Sequence, residues 1–412
     1  MGRKFTILLS LFLIFLTCQE SCVFASQEED IKTVAENNQQ FAFDLYSQIK
    51  NNDDNLFFSP FSISMALAMT YAGARGNTEK QMAETLHFSL NQDELHPIFL
   101  KINRDLQADQ GEKGFELSIA NALWGEKSFK FHKSFIDLTK NYYEAGFKEA
   151  DFKNNAEPER QTINSWVEKQ TKDKIKDLLL PRVLTEITKL VLVNAIYFKG
   201  HWIYPFEKEY TQPRKFELIS GEQIEVPTMN QESSYGYSEN ETLQILEMPY
   251  KGDELSMVIF LPKKAGGIKE LEASLKTENV RNWLSKLEKQ EVTVFLPKFT
   301  MTREFSLKEN FESLGMTDAF NPYAADFSGM SPLALDTEYH LCISEIIHKA
   351  FVDVNEEGTE AAAATAVVMV KMTAAAVEPK PIFNADHPFI FIIRDKISDN
   401  ILFIGRVMDP LK

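Results

Sequence analysis

The amino-acid sequence predicts an α+β protein with a single large domain. Helical patterns dominate the first part of the chain and strand-like runs the second, without the regular alternation of a doubly wound fold. The composition, with 44% hydrophobic and 25% charged residues, is typical of a globular chain that buries a full core. No stretch rich in Gly, Pro or Ser divides the 412 residues, so one domain is expected.

The helices are predicted from the spacing of apolar residues. In the second helix Pro60 lies in the first turn, where its missing N–H costs little. Thr78 and Gln81 are placed as a capping box at the start of the third helix. Helical patterns occur at 31–50, 59–72, 78–86, 158–180 and 268–287.

The strands are predicted from short apolar or alternating runs that end at turn residues. Gly221, Pro227, Gly252 and Pro262 provide such turns in the middle of the chain. Strand-like runs occur at 117–124, 190–198, 216–219, 233–237, 244–249, 255–261, 292–296, 343–354, 389–393 and 401–407.

The N-terminus is predicted to be a signal peptide. Arg3 and Lys4 precede an apolar run at 5–16 that is too short for a stable membrane anchor, and Val23 and Ala25 in the 23–25 segment suit cleavage before Ser26. Residues 1–25 are therefore expected to be removed, leaving one domain at 26–412. The mature chain is expected to be secreted to the extracellular space, or to the periplasm in a bacterium.

Cysteine content and charge limit the classes of function. A lipoprotein signal ending at Cys18 is the alternative at the N-terminus, although Thr17 suits it poorly. Cleavage before Ser26 leaves Cys342 as a lone cysteine, so the fold rests on its core. A net charge of −16 argues against nucleic-acid binding, no basic run resembles a heparin site, and no later apolar run could span a membrane. The Asn240 sequon is a candidate glycosylation site.

The sequence offers no enzyme motif and no metal or cofactor motif. None of the seven histidines lies in a His-Glu-x-x-His pattern. There is no Gly-x-Ser-x-Gly elbow, no Cys-x-x-Cys pair and no Gly-rich phosphate loop. We therefore expect no catalytic residues, no metal and no cofactor.

The segment at 358–381 has the most unusual composition. Its alanines favour a helix, which is one interpretation, but Val367, Val368 and Val370 favour a strand. The second interpretation is an exposed loop that can become a strand, because small side chains fit between existing strands. The prolines that follow favour an extended, accessible backbone, which proteases cleave readily.

In that strand, alternate residues would lie on one face. One face would carry Thr359, Ala361, Ala363, Thr365 and Val367. Glu360 would then lie on the opposite face. The charged residue is therefore on the side that can stay in contact with water.

Several sequence blocks point together to one family. They are NLFFSPFSIS at 55–64, YAGARGNT at 71–78, INSWVE at 163–168, VNAIYFKGHW at 193–202, MPY at 248–250, LPKF at 296–299, ISEIIHKA at 343–350, EGTEAAAAT at 357–365 and DHPFIF at 386–391. With these blocks in this order, the sequence resembles the serpin family of serine protease inhibitors, over essentially the whole mature chain. The loop is most similar to the ovalbumin-type branch, which often lacks a cleaved signal peptide.

The resemblance implies a serpin fold, with large, mostly antiparallel sheets, about eight or nine surrounding helices and an exposed reactive-centre loop at about 356–381. It implies a suicide substrate: a serine protease cleaves the loop and forms an acyl-enzyme. The loop then inserts into the main sheet before the ester is hydrolysed. The expected partner is a serine protease, and the expected state is a monomer. The alternative is a non-inhibitory serpin that acts in storage, transport or as a chaperone.

The resemblance also assigns residues. Counting along the family hinge makes Met372–Thr373 the scissile bond, which suits elastase- or chymotrypsin-like proteases; a slip of one residue makes it Lys371–Met372, which suits trypsin-like ones. The hinge comprises Glu357, Gly358, Thr359, Glu360, Ala361, Ala362, Ala363, Ala364 and Thr365.

Two further groups match family positions in the main sheet. Ser59, Ser62, Asn194 and His348 match the shutter, where the sheet parts. Trp202 matches the breach, where insertion begins; its alternative role is simple core packing. The alternative for His348 is a buried core histidine whose hydrogen bonds are all satisfied. Polar residues in the shutter could exchange hydrogen-bond partners between two states of the sheet.

Overall fold

The computed structural model describes residues 27–50, 53–143, 146–335, 340–359 and 380–412. These residues form ten α-helices, of which several are short. The helices are α1 27–49, α2 Pro60–Tyr71, α3 Gly76–Thr85, α4 Gln92–Gln107, α5 Gln110–Lys113, α6 Lys133–Tyr143, α7 Phe152–Gln170, α8 Ile268–Ser274, α9 Thr277–Leu284 and α10 Lys308–Ser313.

The same residues form fifteen strands. The strands are β1 Leu56–Phe58, β2 Phe115–Glu126, β3 Phe147–Ala150, β4 Leu190–His201, β5 Gln212–Glu217, β6 Gln223–Glu239, β7 Leu243–Pro249, β8 Leu255–Pro262, β9 Glu288–Pro297, β10 Phe299–Ser306, β11 Glu345–Asn355, β12 Gly358–Thr359, β13 Ile382–Asn384, β14 Phe389–Asp395 and β15 Ile401–Val407.

The strands belong to two sheets, which confirms the α+β prediction. A six-stranded sheet has the order β10-β11-β12-β4-β2-β3, and β11 also pairs directly with β4. A nine-stranded sheet has the order β1-β15-β14-β8-β7-β6-β9-β13, with β5 paired to β6. Most pairs are antiparallel; the parallel ones are β11 with β4, β2 with β3 and β13 with β9.

Helix α2 lies between the two sheets. All twelve of its residues are buried, as expected for a helix that is apolar on every side. It contacts β15 of one sheet and β2 and β4 of the other. The Ser59 side chain caps it by accepting from the N–H of Ser62, and Pro60 occupies the first turn as predicted.

Strand β4 is buried on both faces over most of its length, which explains why residues 190–198 are apolar apart from Asn194. Leu192, Ile196 and Phe198 point into the main core between the sheets. Val191 and Val193 point to the other side, into a smaller core that includes Ile163 and Val167 of α7. Helix α7 therefore covers the outer face of the six-stranded sheet.

Three local predictions need correction. The predicted helix at 268–287 is two helices, because Leu275 is extended, and the helix predicted at 158–180 ends at Gln170. The capping box is wrong: α3 begins at Gly76, and the Thr78 hydroxyl accepts from the N–H of Asp326 at 2.9 Å.

Helix α4 was not predicted, because Pro97 interrupts its pattern. Its start carries a signal that could have been found: the Asn91 side chain accepts from the N–H of Glu94 at 3.1 Å and donates to its carboxylate at 2.6 Å. No helix among the described residues is both long and apolar enough to cross a bilayer.

Candidate functional site

The centre of the six-stranded sheet is a parallel pair of strands. Residues 191–197 of β4 pair with 345–351 of β11, and β4 and β11 pair antiparallel with their outer neighbours β2 and β10. We call this parallel pairing the seam. Parallel pairing is slightly less stable per residue than antiparallel pairing, so the seam is a natural place for the sheet to part.

Strand β12 lies between β4 and β11 at one end of the seam. Thr359 pairs with Gly200 on one side and Val354 on the other, and Gly358 pairs with His201 and Asn355. Both pairings are antiparallel. The short strand is therefore the start of an additional central strand, held by hydrogen-bond ladders on both sides.

Gly358 fits where no other residue would. Its φ is +150°, which L-residues rarely adopt, and a Cβ there would lie 1.9 Å from the carbonyl oxygen of Gly200. The close approach of two backbones at the start of β12 thus depends on this glycine.

Aromatic residues hold the start of β12 against the core. The Trp202 and Tyr250 rings stack with centroids 4.6 Å apart, and the Tyr250 hydroxyl lies 2.9 Å from the Thr359 hydroxyl. Trp202 donates from Nε1 to the carbonyl of Asn355 at 3.0 Å. Trp202 therefore lies directly at the end of the seam, where its matching position predicts the breach.

Two glutamates anchor the turn between β11 and β12. Lys298 Nζ lies 2.8 Å from Glu356 Oε2, and the Thr211 hydroxyl donates to Glu356 Oε1 at 2.8 Å. Burial raises the pKa of Glu356, but the hydrogen bonds from Lys298 and Thr211 outweigh it, so the pKa lies below its ordinary value. Glu357 pairs with Lys208 at 2.8 Å.

The four residues predicted for the shutter lie together. Asn194 and His348 are opposite each other in the seam, and His348 Nδ1 is hydrogen-bonded to Asn194 Oδ1. Asn194 Nδ2 donates to the Ser62 hydroxyl at 2.7 Å, and the Ser59 hydroxyl donates to the carbonyl of Leu402 at 2.6 Å. Polar side chains thus connect both strands of the seam to the start of α2.

The contacts of His348 define its protonation state. The N–H of Ser59 donates to Nε2 at 3.1 Å, so Nε2 accepts and Nδ1 carries the proton that is donated to Asn194. The ring is fully buried. Burial lowers its pKa to about 3, against a smaller raising effect of the Asn194 hydrogen bond. His348 is therefore neutral in the folded protein at neutral pH.

Comparison with known proteins decides the family. The family model described as "Serpin (serine protease inhibitor)" matches residues 36–410. The chain belongs to the serpin family. Human leukocyte elastase inhibitor is 43% identical to this serpin over 383 residues, covering 90% of this chain and 98% of the relative. An uncharacterized serpin-like protein of Methanosarcina acetivorans is 40% identical over 389 residues, covering 93% and 87%.

Solved serpin structures share the fold over nearly the whole chain. Uncleaved ovalbumin has a TM-score of 0.81 at 28% identity and covers 92% of this serpin and 100% of its own chain. Maspin has a TM-score of 0.83 at 28% identity, covering 93% and 100%. Both the resemblance and the predicted serpin fold are thereby confirmed.

Several predicted site residues lie outside the described residues of this serpin. They are Glu360, Ala361, Ala362, Ala363, Ala364 and Thr365 of the hinge, the alternative scissile residues Lys371, Met372 and Thr373, and the signal peptide at 1–25. Of the hinge, the structure describes Glu357, Gly358 and Thr359, in and next to β12.

The structure adds residues that sequence reasoning missed. Asn121 of β2 joins the four residues predicted for the shutter: it donates from Nδ2 to the carbonyl of Ser62 at 3.1 Å and is hydrogen-bonded to Asn194. Tyr250 and Lys298 lie within blocks that the resemblance used, but no role was assigned to them. Their contacts come from strands distant in sequence, so no local pattern indicated them.

The buried His348 predicts that the stability of this serpin is sensitive to acid. The pKa is about 3 in the folded protein and near 6.5 when unfolded, so the unfolded state binds more protons between these values. Stability should therefore fall as the pH drops below about 6.5, by roughly 2 kcal/mol at about pH 5 from this residue.

Urea unfolding at about pH 7.5 and pH 5 measures this loss, with His348→Gln as the comparison. The variant should lose less stability between the two pH values than the unmodified protein. Burial also lowers the pKa of His96, to about 4. The contribution of His96 to the loss of stability at low pH should remain in the variant. An unchanged loss in the variant would mean that His348 is not the group that titrates.

Proposed function

We propose that this serpin inhibits serine endopeptidases as a suicide substrate, trapping the protease as an acyl-enzyme when the cleaved loop inserts into the seam. The main support for this proposal is the pairing of β12, a two-residue strand that already pairs with both β4 and β11. The rest of the loop would continue this strand. The serpin itself supplies no catalytic group and needs no cofactor or metal.

The register of β12 defines where each inserted residue would go. Each further residue moves one position along both neighbours, away from Gly200 on β4 and from Val354 on β11. Six residues beyond Thr359, the Thr365 side chain would lie between Asn194 and His348. A strand inserted there moves β4 and β11 about 4.8 Å further apart, so the direct hydrogen bond between Asn194 and His348 is lost. A threonine hydroxyl can both donate and accept, and would bridge them.

The remaining core-facing residues of the inserted strand are small or apolar. Ala361 would lie between Phe198 and Val352, and Ala363 between Ile196 and Ala350. All four neighbours are fully buried. Alanines fit such a space without displacing the core, which supports insertion over a fixed loop.

The same register indicates how far insertion would proceed. The residue opposite Leu190, the first residue of β4, would be Met369, which gives an inserted strand at 358–369 of about 40 Å. Met372 would then lie just beyond the far end of β4. A protease esterified to it would be carried from one end of the sheet to the other.

We propose Met372–Thr373 as the scissile bond and an elastase- or chymotrypsin-like protease as the target. The names of relatives such as leukocyte elastase inhibitor support this choice. Cleavage at Lys371–Met372 by a trypsin-like protease is the alternative. We further propose that residues 1–25 direct export and are removed, so that the mature serpin is secreted and monomeric.

Incubation with elastase, chymotrypsin and trypsin, followed by denaturing gel electrophoresis, tests the function. We expect a covalent complex with at least one of the first two, and mass spectrometry should find a released peptide that begins at Thr373. A peptide beginning at Met372, released by trypsin, would select the alternative bond. Complete cleavage of the loop without any covalent complex would contradict inhibition and favour a storage, carrier or chaperone role.

A further inference from the structure

The turn between β6 and β7 carries a motif that the inhibitory function does not use. Asn240, Glu241 and Thr242 form an Asn-x-Thr sequence, and all three residues are exposed. The N–H of Asn240 donates to the carbonyl of Leu243 at 2.9 Å and closes the turn. The motif is therefore presented at the tip of a regular hairpin.

The side chain of Asn240 is held in one orientation. Its Oδ1 accepts from the N–H groups of Thr242 and Leu243, each at 2.9 Å, and from the Thr242 hydroxyl at 3.1 Å. With Oδ1 turned to the hairpin, the amide nitrogen Nδ2 points away from it. Within the described part of the chain, Nδ2 donates no hydrogen bond, so it is the group left for other chemistry.

A groove begins at the same turn. Its volume is about 550 Å³, within the range of sites that bind small molecules. The apolar side chains of its lining are those of Leu243, Pro262, Leu271 and Trp283. Lys264 and Glu270 provide polar groups, and Asn240 itself lies on the rim.

Trp283 gives the groove a defined aromatic surface. The ring is only partly buried, and its centroid lies 5.7 Å from that of Phe260, which supports it from the core side. An aromatic face next to a few polar groups suits a ligand with one apolar and one polar side. A pyranose ring has such a surface, because axial C–H groups make its faces apolar and its hydroxyls are at the edge.

We propose that Asn240 is N-glycosylated and that the first N-acetylhexosamine of the glycan lies in this groove against Trp283. The sugar is attached to the rim of the groove, so its effective concentration is high and a weak contact is enough to hold it. This inference rests on the proposed export, since the modification occurs only on chains that enter a secretory pathway with the transferase.

The covalent step uses a lipid pyrophosphate-linked oligosaccharide as the co-reactant. Asn240 Nδ2 attacks the anomeric carbon of its first sugar, forming the N–C bond as the bond from that carbon to pyrophosphate breaks. The pyrophosphate lipid leaves with the electron pair, and Nδ2 loses one proton. No oxidant or reductant is needed.

The first test asks whether Asn240 is occupied. The full chain is expressed in eukaryotic cells that N-glycosylate secreted proteins, and the secreted product is mapped by mass spectrometry with and without peptide-N-glycosidase. We expect a glycan on Asn240 that persists in Thr242→Ser and is lost in Thr242→Val. Both variants keep the two backbone hydrogen bonds to Asn240 Oδ1, so both should fold equally well. Thr242→Ser is therefore the matched control for Thr242→Val.

Two results of this test would overturn the inference. One is a secreted serpin with a processed N-terminus and an unmodified Asn240. The other is retention of the unprocessed chain in the cytosol, which would contradict the proposed export as well. Inhibition is assayed on Thr242→Val in parallel and should be unchanged, because no groove residue belongs to the seam; inhibition and glycosylation can therefore fail separately.

The second test asks where the sugar lies. Acrylamide quenching of tryptophan fluorescence is compared for the intact glycoprotein, for one trimmed to a single sugar by an endoglycosidase, and for one fully deglycosylated. The contribution of Trp283 to the fluorescence is obtained as the difference between the unmodified sequence and the Trp283→Phe variant. We expect its quenching constant to rise about twofold on full removal but not on trimming. Equal quenching in all three would overturn placement in the groove.

Discussion

Replacing Ala361 with arginine should convert this serpin from an inhibitor into a substrate. On insertion the side chain would face the core between Phe198 and Val352, which are fully buried, and no acidic group lies among these neighbours. Burying an unpaired charge costs several kcal/mol, so insertion should become slower than hydrolysis of the acyl-enzyme. The number of serpin molecules consumed per protease inhibited should rise by about tenfold or more.

Glu360→Arg provides a matched control one residue earlier. In the same register Glu360 would lie between Lys199 and Asp353, on the outer face, where both neighbours are partly exposed. The stoichiometry of inhibition should therefore change little. Equal effects of the two variants would contradict the register that β12 defines, and undiminished inhibition by Ala361→Arg would contradict insertion itself.

Replacing Glu356 with lysine should open the end of the seam. The glutamate is 4% exposed and holds Lys298 and Thr211 at the turn between β11 and β12. A lysine there places two ammonium groups together and leaves Thr211 without its acceptor. We expect a loss of roughly 2–4 kcal/mol, less than for a fully buried pair because Lys298 is partly exposed. The yield of purified monomer should fall, and polymers should appear on native gels and in size-exclusion chromatography.

The exchanged pair, Glu356→Lys with Lys298→Glu, separates the ion pair from other effects of the substitution. It restores opposite charges across the same distance, so monomer yield and urea resistance should recover at least in part. If the exchanged pair is as unstable as the single variant, the anchoring contact is the one with Thr211 and not the one with Lys298.

Much of the fold could be predicted from the sequence, because local patterns are strong where strands are buried. The run at 190–198, which is apolar apart from Asn194, predicted β4, and Pro60 with Ser59 before it predicted the start of α2. The parallel pairing of β4 with β11 could not be predicted in this way. It joins strands about 150 residues apart, and no periodicity within either strand indicates its partner.

The site was predicted in part, through the family blocks and not through local chemistry. His348 alone would suggest only a satisfied core histidine, and the resemblance placed it with Asn194. Asn121 was missed because its role follows from its position opposite Asn194 in the neighbouring strand. The Glu356–Lys298 contact was missed for the same reason, since only the folded sheet brings these residues together.

Inhibition by loop insertion requires that the seam of the intact serpin can still accept a strand, and that the cleaved loop fills it. Both requirements are tested by comparing the melting temperature of the intact protein with that of protein nicked within 360–379 by a non-target protease. We expect the nicked form to melt at least about 10 °C higher, because the inserted strand replaces one parallel pairing with two antiparallel ones. Equal melting temperatures for the two forms would contradict it.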